Sequence, residues 1–167
     1  FITGKNTCKA ATELNLGAEP SRFFADKKGV ADKFYCGRGG YIRDFSLDAE
    51  GFLLPAETIE KLGETFQWPL HVAREALRDS GYADQAEILK KCGVVLGNLS
   101  FPTKASNHLL LPLYQNVLDP LLKKVLNRSD FSLNSFTDEK NYAPENSRIS
   151  GLPASIIAQA LGLSAHS

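Results

Sequence analysis

The 167-residue sequence contains no methionine, a single tryptophan and three cysteines, and carries no charge excess, with 19 lysines and arginines against 19 acids. Each shortage excludes a class of function. No apolar run approaches the roughly 20 residues that a membrane-spanning helix needs, so no membrane partner is expected. The basic pairs Lys27-Lys28, Lys90-Lys91 and Lys123-Lys124 are far apart, with acids between them. Nucleic-acid binding wants a concentrated basic face, and none is expected. Cys8, Cys36 and Cys92 have neither the paired spacing of a disulfide framework nor that of a zinc site. Reduced thiols in a cytoplasmic protein are the expectation. The chain opens on Phe1 without a start residue, and Phe1–Lys5 is too short and polar for a signal peptide. It stops at Leu163-Ser164-Ala165-His166-Ser167 with no closing element. The sequence is therefore read as cut at both ends.

The motifs of common active sites are missing too. Cys36-Gly37-Arg38-Gly39-Gly40 lacks the Gly-Lys-Ser/Thr ending and the strand–turn–helix setting of a phosphate loop, and reads as a tight turn. There is no Gly-x-Ser-x-Gly elbow. His71, His108 and His166 share no ligand spacing, so no metal site is expected. Cys92 opens an apolar run, where free cysteines behave as small hydrophobes, and no base is placed beside it. Glu57, Glu60 and Glu64 read as a solvated face.

What remains is an ordinary globular composition, 43% hydrophobic and 23% charged, long enough for one domain with a core. Residues 14–44, rich in glycine, aromatics and charge, predict irregular structure with short strands, one of them at Tyr41–Phe45. Phe66, Leu70, Ala73 and Leu77 recur at helical spacing and predict a helix over 65–80. Arg74, Glu75, Arg78 and Asp79 are assigned to its polar side, Pro69 to its start and Gly81 to its stop. Cys92-Gly93-Val94-Val95-Leu96-Gly97 reads as a strand buried on both faces in a largely parallel sheet. A helical region follows over 106–126, with Asp119-Pro120 marking a kink or a second helix start. Residues 127–149 are a long polar connection, and a last helix is predicted over 152–161 with Gly162 as its stop. Helix followed by buried strand argues α/β. The residues alone lead to an incomplete α/β domain with no visible active site.

The order of segments adds a resemblance. Phe34-Tyr35-Cys36-Gly37-Arg38-Gly39-Gly40-Tyr41-Ile42-Arg43-Asp44-Phe45, followed by Phe52, resembles the aromatic, glycine-rich stretch near the start of β-ketoacyl synthase domains. Ala73-Arg74-Glu75-Ala76-Leu77-Arg78-Asp79-Ser80-Gly81-Tyr82 is similar to their "weALedAGy" helix, and Cys92–Gly97 to the "gVfvG" strand after it. Gly151-Leu152-Pro153-Ala154-Ser155 through Leu163 is similar to the helix before the nucleophile strand. Val95-Leu96-Gly97-Asn98-Leu99-Ser100-Phe101-Pro102-Thr103, with Ala105-Ser106-Asn107 and Leu113-Tyr114, narrows the likeness to the synthases of polyunsaturated fatty acids. Glu64-Thr65-Phe66-Gln67 stands where modular polyketide synthases carry Asp-Pro-Gln-Gln-Arg, which argues against a standard modular assignment.

The resemblance implies a thiolase-like fold, present here as an N-terminal half over residues 1–167, with a mixed sheet and flanking helices. It implies a decarboxylative Claisen condensation. An acyl chain passes from the phosphopantetheine arm of an acyl carrier protein to a cysteine, and decarboxylated malonyl-carrier attacks the thioester. No metal or redox cofactor is required. The reacting cysteine would lie after Ser167, so no catalytic residue is expected here and the isolated chain is expected to be inactive, partly molten or prone to aggregate. Partners would be the carrier protein and a second ketosynthase fold, either a homodimer mate or a chain-length factor. Phe101, Asn107, Leu111, Ser150, Gly151 and Ala154 are the expected residues of the acyl tunnel or dimer wall, with Gly151 and Ala154 small enough for close backbone approach. Two alternatives stay open: a chain-length-factor-like partner without a nucleophile, and a self-contained non-enzymatic α/β domain.

Overall fold

The computed structural model describes residues 6–12, 19–99, 103–133 and 142–164. Two compact units divide the chain after Ser46. Among the described residues of the first unit, regular structure is limited to a two-residue antiparallel ladder and one turn of 3-10 helix. Strand β1 (Lys9–Ala10) pairs with β2 (Arg38–Gly39), with Lys9 opposite Gly39 and Ala10 opposite Arg38. The short helix spans Pro20–Arg22. The glycine-rich stretch at 36–40 thus holds a strand, whereas Tyr41–Phe45 forms none. A ladder this short leaves many backbone carbonyls without backbone partners, and cationic side chains fill the vacancies. Arg38 donates to the Cys8 carbonyl at 2.8 Å, Arg43 to that of Ala10, and Lys33 to those of Ser21 and Arg22. Phe24 and Phe34 form an isolated parallel bridge, their rings 6.4 Å apart. The excess of lysine and arginine in this unit is therefore explained as stapling.

The second unit is helical. Its helices are α1 (Ala56–Glu60), α2 (Glu64–Asp79), α3 (Ala86–Leu89), α4 (Lys104–Val125) and α5 (Leu152–Leu161), with a 3-10 turn at Pro144–Ser147. Its core is the buried set Ile59, Leu62, Phe66, Leu70, Ala143, Ile149, Ile156, Ile157 and Ala160, where α2 packs on α5. Helix α5 has the bounds its sequence pattern predicts. Gly162 ends it at φ +68° with its N–H on the Ala158 carbonyl, a left-handed stop that suits glycine. Gly81 turns the chain after α2 at φ +74°.

Several expectations need correction. Pro69 lies inside α2, five residues after its start, and so removes a bond to the Thr65 carbonyl rather than filling a vacancy in the first turn. Arg74 belongs to the inward stripe: it follows Phe66 and Leu70 at i+8 and i+4 and is 6% exposed. Helix α4 is continuous through Pro112 and Pro120. Asp119 caps nothing at a second start. Its carboxylate accepts the Leu133 N–H at 3.1 Å and the Ser132 hydroxyl at 3.2 Å, pinning the chain that leaves α4.

The largest correction concerns Cys92–Gly97. No strand forms there, and among the described residues no ladder pairs with it. Val94 and Leu96 pack against the core, while Val95 between them is 102% exposed. The segment is extended, with one face covered and one bare. A short apolar run fits a half-covered segment as well as a strand buried on both faces, and periodicity alone does not separate the two. The α/β expectation is met as helices around a core plus one small sheet, without the mixed sheet.

Candidate functional site

The expected wall residues fall into two groups held by one buried frame. Gly63, just before α2, donates its N–H to the Asn146 side-chain oxygen at 2.6 Å. The Asn146 amide nitrogen donates to the Lys61 carbonyl at 2.9 Å and the Ala143 carbonyl at 2.8 Å. Asn146 is 1% exposed, so all of its bonding capacity must be met inside, and three bonds meet most of it. Gly63 has an ordinary extended backbone, φ −75° and ψ 169°, so its missing side chain matters for space alone. A Cβ there would lie 2.9 Å from the Ala105 Cβ and 2.9 Å from the Asn146 oxygen. The first turn of α4 and the 3-10 turn at Pro144–Ser147 therefore converge on the start of α2.

Helix α4 begins with a capping box. The Thr103 hydroxyl accepts the Ser106 N–H at 3.1 Å and the Ser106 hydroxyl accepts the Thr103 N–H at 2.8 Å. Ala105 and Ser106 are buried. Asn107 and Leu111 follow, one turn apart on the same face and half-buried. His108 beside them stands edge-on to Tyr142, ring centroids 5.5 Å apart. Among the described residues the buried His108 Nδ1 has no hydrogen-bond partner. At the other group, the Asn98 amide donates to the Ile149 carbonyl at 2.6 Å, tying the extended segment to the approach of α5. Ser150 and Gly151 are exposed and Ala154 is half-buried on the first turn of α5. Nothing among the described residues comes within 4 Å of a Cβ placed on Gly151, so the close approach expected there is not made by this chain. Phe101 lies outside the described residues, as does His166.

A second feature was not among the expected site residues. Arg74 donates from Nη1 to the Asp48 and Glu50 carbonyls at 2.7 Å each and from Nε to Glu75 at 3.2 Å. Its guanidinium sits 4.7 Å from the Phe52 ring centroid. The residue clasps segment 47–54 to α2, and the signal that could have revealed it is its i+4 spacing from Leu70. Beside it lies a groove of about 420 Å³ lined by Leu53, Arg78, Leu89, Lys90 and Leu161, among others. It contains none of the expected wall residues. Helices α2, α3 and α5 all end on it, and carbonyl dipoles there favour cations. Arg78 and Lys90 meet that field and are already paired, with Glu75 at 3.0 Å and Glu87 at 2.8 Å. The groove is electrostatically accounted for without a ligand.

Glu57 is held below the ordinary carboxylate range by its hydrogen bond and attraction to Lys61, and Asp130 by its hydrogen bond from Arg128; both are fully exposed ion pairs. The three cysteines are free thiols, Cys8 and Cys36 exposed and Cys92 half-buried. Cys92 sits at the C-terminal end of α3, its N–H on the Leu89 carbonyl. Among the described residues no three histidines, cysteines or acids gather to hold a metal ion. Among the described residues the arrangement offers a positioned surface and no acid–base–nucleophile set.

Comparison with known proteins decides the family, because the profile of the β-ketoacyl synthase N-terminal domain matches residues 2–167. The chain belongs to the β-ketoacyl synthase N-terminal domain family. A solved ketosynthase structure, the PfaC keto synthase–chain length factor, superposes with a TM-score of 0.82 over 96% of this chain at 45% identity. A polyunsaturated fatty acid synthase polypeptide from a Thraustochytrium species is 32% identical over 103 residues, 62% of this chain. The chain spans 17% of the solved protein and 4% of the curated synthase. The fold is thus the N-terminal part of the thiolase-like ketosynthase fold. The bare face of 92–97 coexists with that assignment. No helix among the described residues is long and apolar enough to cross a membrane.

Proposed function

We propose that the chain serves as the N-terminal portion of a ketosynthase domain, in a cytoplasmic synthase of polyunsaturated fatty acids that extends acyl chains by decarboxylative Claisen condensation. The observation that carries this reading is the 45% identity to a keto synthase–chain length factor across 96% of the chain. In it the chain contributes scaffold and one wall of the acyl site, while the reacting thiol is supplied elsewhere. The half-covered segment 92–97, which leaves Val95 bare for neighbours in a larger sheet, supports that division of labour. Asn107, Leu111, Ser150, Gly151 and Ala154 form the wall. The acyl group arrives on the phosphopantetheine arm of a carrier protein, and the domain pairs with a second ketosynthase fold. Condensation of this kind calls on no metal or redox cofactor.

The name of the solved relative favours a second reading, in which the chain belongs to a chain-length factor that shapes the product without bonding to it. One experiment separates the two. In the synthase that carries this chain, Ala154→Trp fills the wall at the start of α5. Under the first reading it lowers acyl loading of that domain at least tenfold, while Ala154→Ser leaves loading intact. Under the second, loading is unchanged and the product chain shortens. Unchanged loading with unchanged product length rules out a wall role for Ala154.

A further inference from the structure

We draw no further inference here: the strongest candidate, the exposed apolar face of α4 formed by Leu113, Tyr114, Val117, Leu118, Leu121 and Val125, carries none, because nothing in the structure shows what covers it.

Discussion

Replacing Gly63 with alanine probes the frame that seats the first turn of α4, just ahead of Asn107 and Leu111. The new Cβ would sit 2.9 Å from the Ala105 Cβ and 2.9 Å from the Asn146 oxygen, where ordinary contact begins at 3.4 Å, so each neighbour must yield by at least 0.5 Å. Neither can yield alone. Ala105 is fixed to the backbone of α4, and Asn146 is held by bonds of 2.6, 2.9 and 2.8 Å. Overpacking of this kind costs about 1–3 kcal/mol. Loosening Asn146 adds about 0.5–1.5 kcal/mol for each weakened bond. Alanine returns about 0.4–1 kcal/mol through the unfolded chain, because the native φ and ψ suit it. The expected net loss is about 2–4 kcal/mol. The loss is read in the synthase that carries this chain, by the urea dependence of proteolytic cleavage within residues 47–99 and 103–133. With a urea slope of about 1–3 kcal/mol per molar, the midpoint should fall by roughly 1–2 M. The steric cause is isolated by Asn146→Ala, which removes the nearby oxygen. Gly63→Ala should cost at least about 1 kcal/mol less in that background than in the wild type. A Gly63→Ala chain melting within about 0.5 kcal/mol of the wild type, or a double variant showing simple additivity, refutes the packing argument.

Two further substitutions test neighbouring parts. Arg74→Met strands the Asp48 and Glu50 carbonyls and removes the cation over Phe52, so it should cost about 2–4 kcal/mol; hydrogen exchange of residues 47–54 should quicken, and Arg74→Lys should restore less than half of the loss, since an ammonium cannot reproduce the fork. Thr103→Ala removes the hydroxyl that caps α4 and should cost about 0.5–2 kcal/mol in a urea melt, with Thr103→Asp recovering most of it.

Legibility in the sequence follows the strength of local signals. Helix α5 is readable to the residue because an apolar decamer runs into a glycine that must turn left-handed. The body of α2 is readable from Phe66, Leu70 and Leu77, yet Arg74 is easily misassigned: periodicity places it inward, while its charge argues outward. Burial wins because two carbonyls and a ring receive the guanidinium. The Thr103-x-x-Ser106 box is present in the sequence but is a weaker signal than the apolar stripe, which puts the expected α4 start two residues late. The β1–β2 ladder is too short to leave any alternation, and Asn146 sits in a polar stretch that composition reads as surface. Its burial depends on Gly63, 83 residues away, a pairing that no window of sequence displays. Segment 92–97 shows the opposite limit. Its apolar run predicts a strand buried on both faces, whereas no ladder forms and Val95 is bare, because burial of Val94 and Leu96 on one side is all that the described core asks of it. The proposed wall residues come from resemblance alone, since nothing in their spacing marks a binding surface.

The most direct test follows the acyl group. The synthase carrying this chain is loaded with a radiolabelled acyl donor, digested, and its labelled peptide sequenced, with Cys8, Cys36 and Cys92 all changed to alanine in a parallel sample. The account predicts an undiminished thioester in the triple variant, mapped to a cysteine other than these three. Label on the Cys92 peptide, or loss of the thioester when Cys92 alone becomes alanine in a protein that still folds, would contradict it.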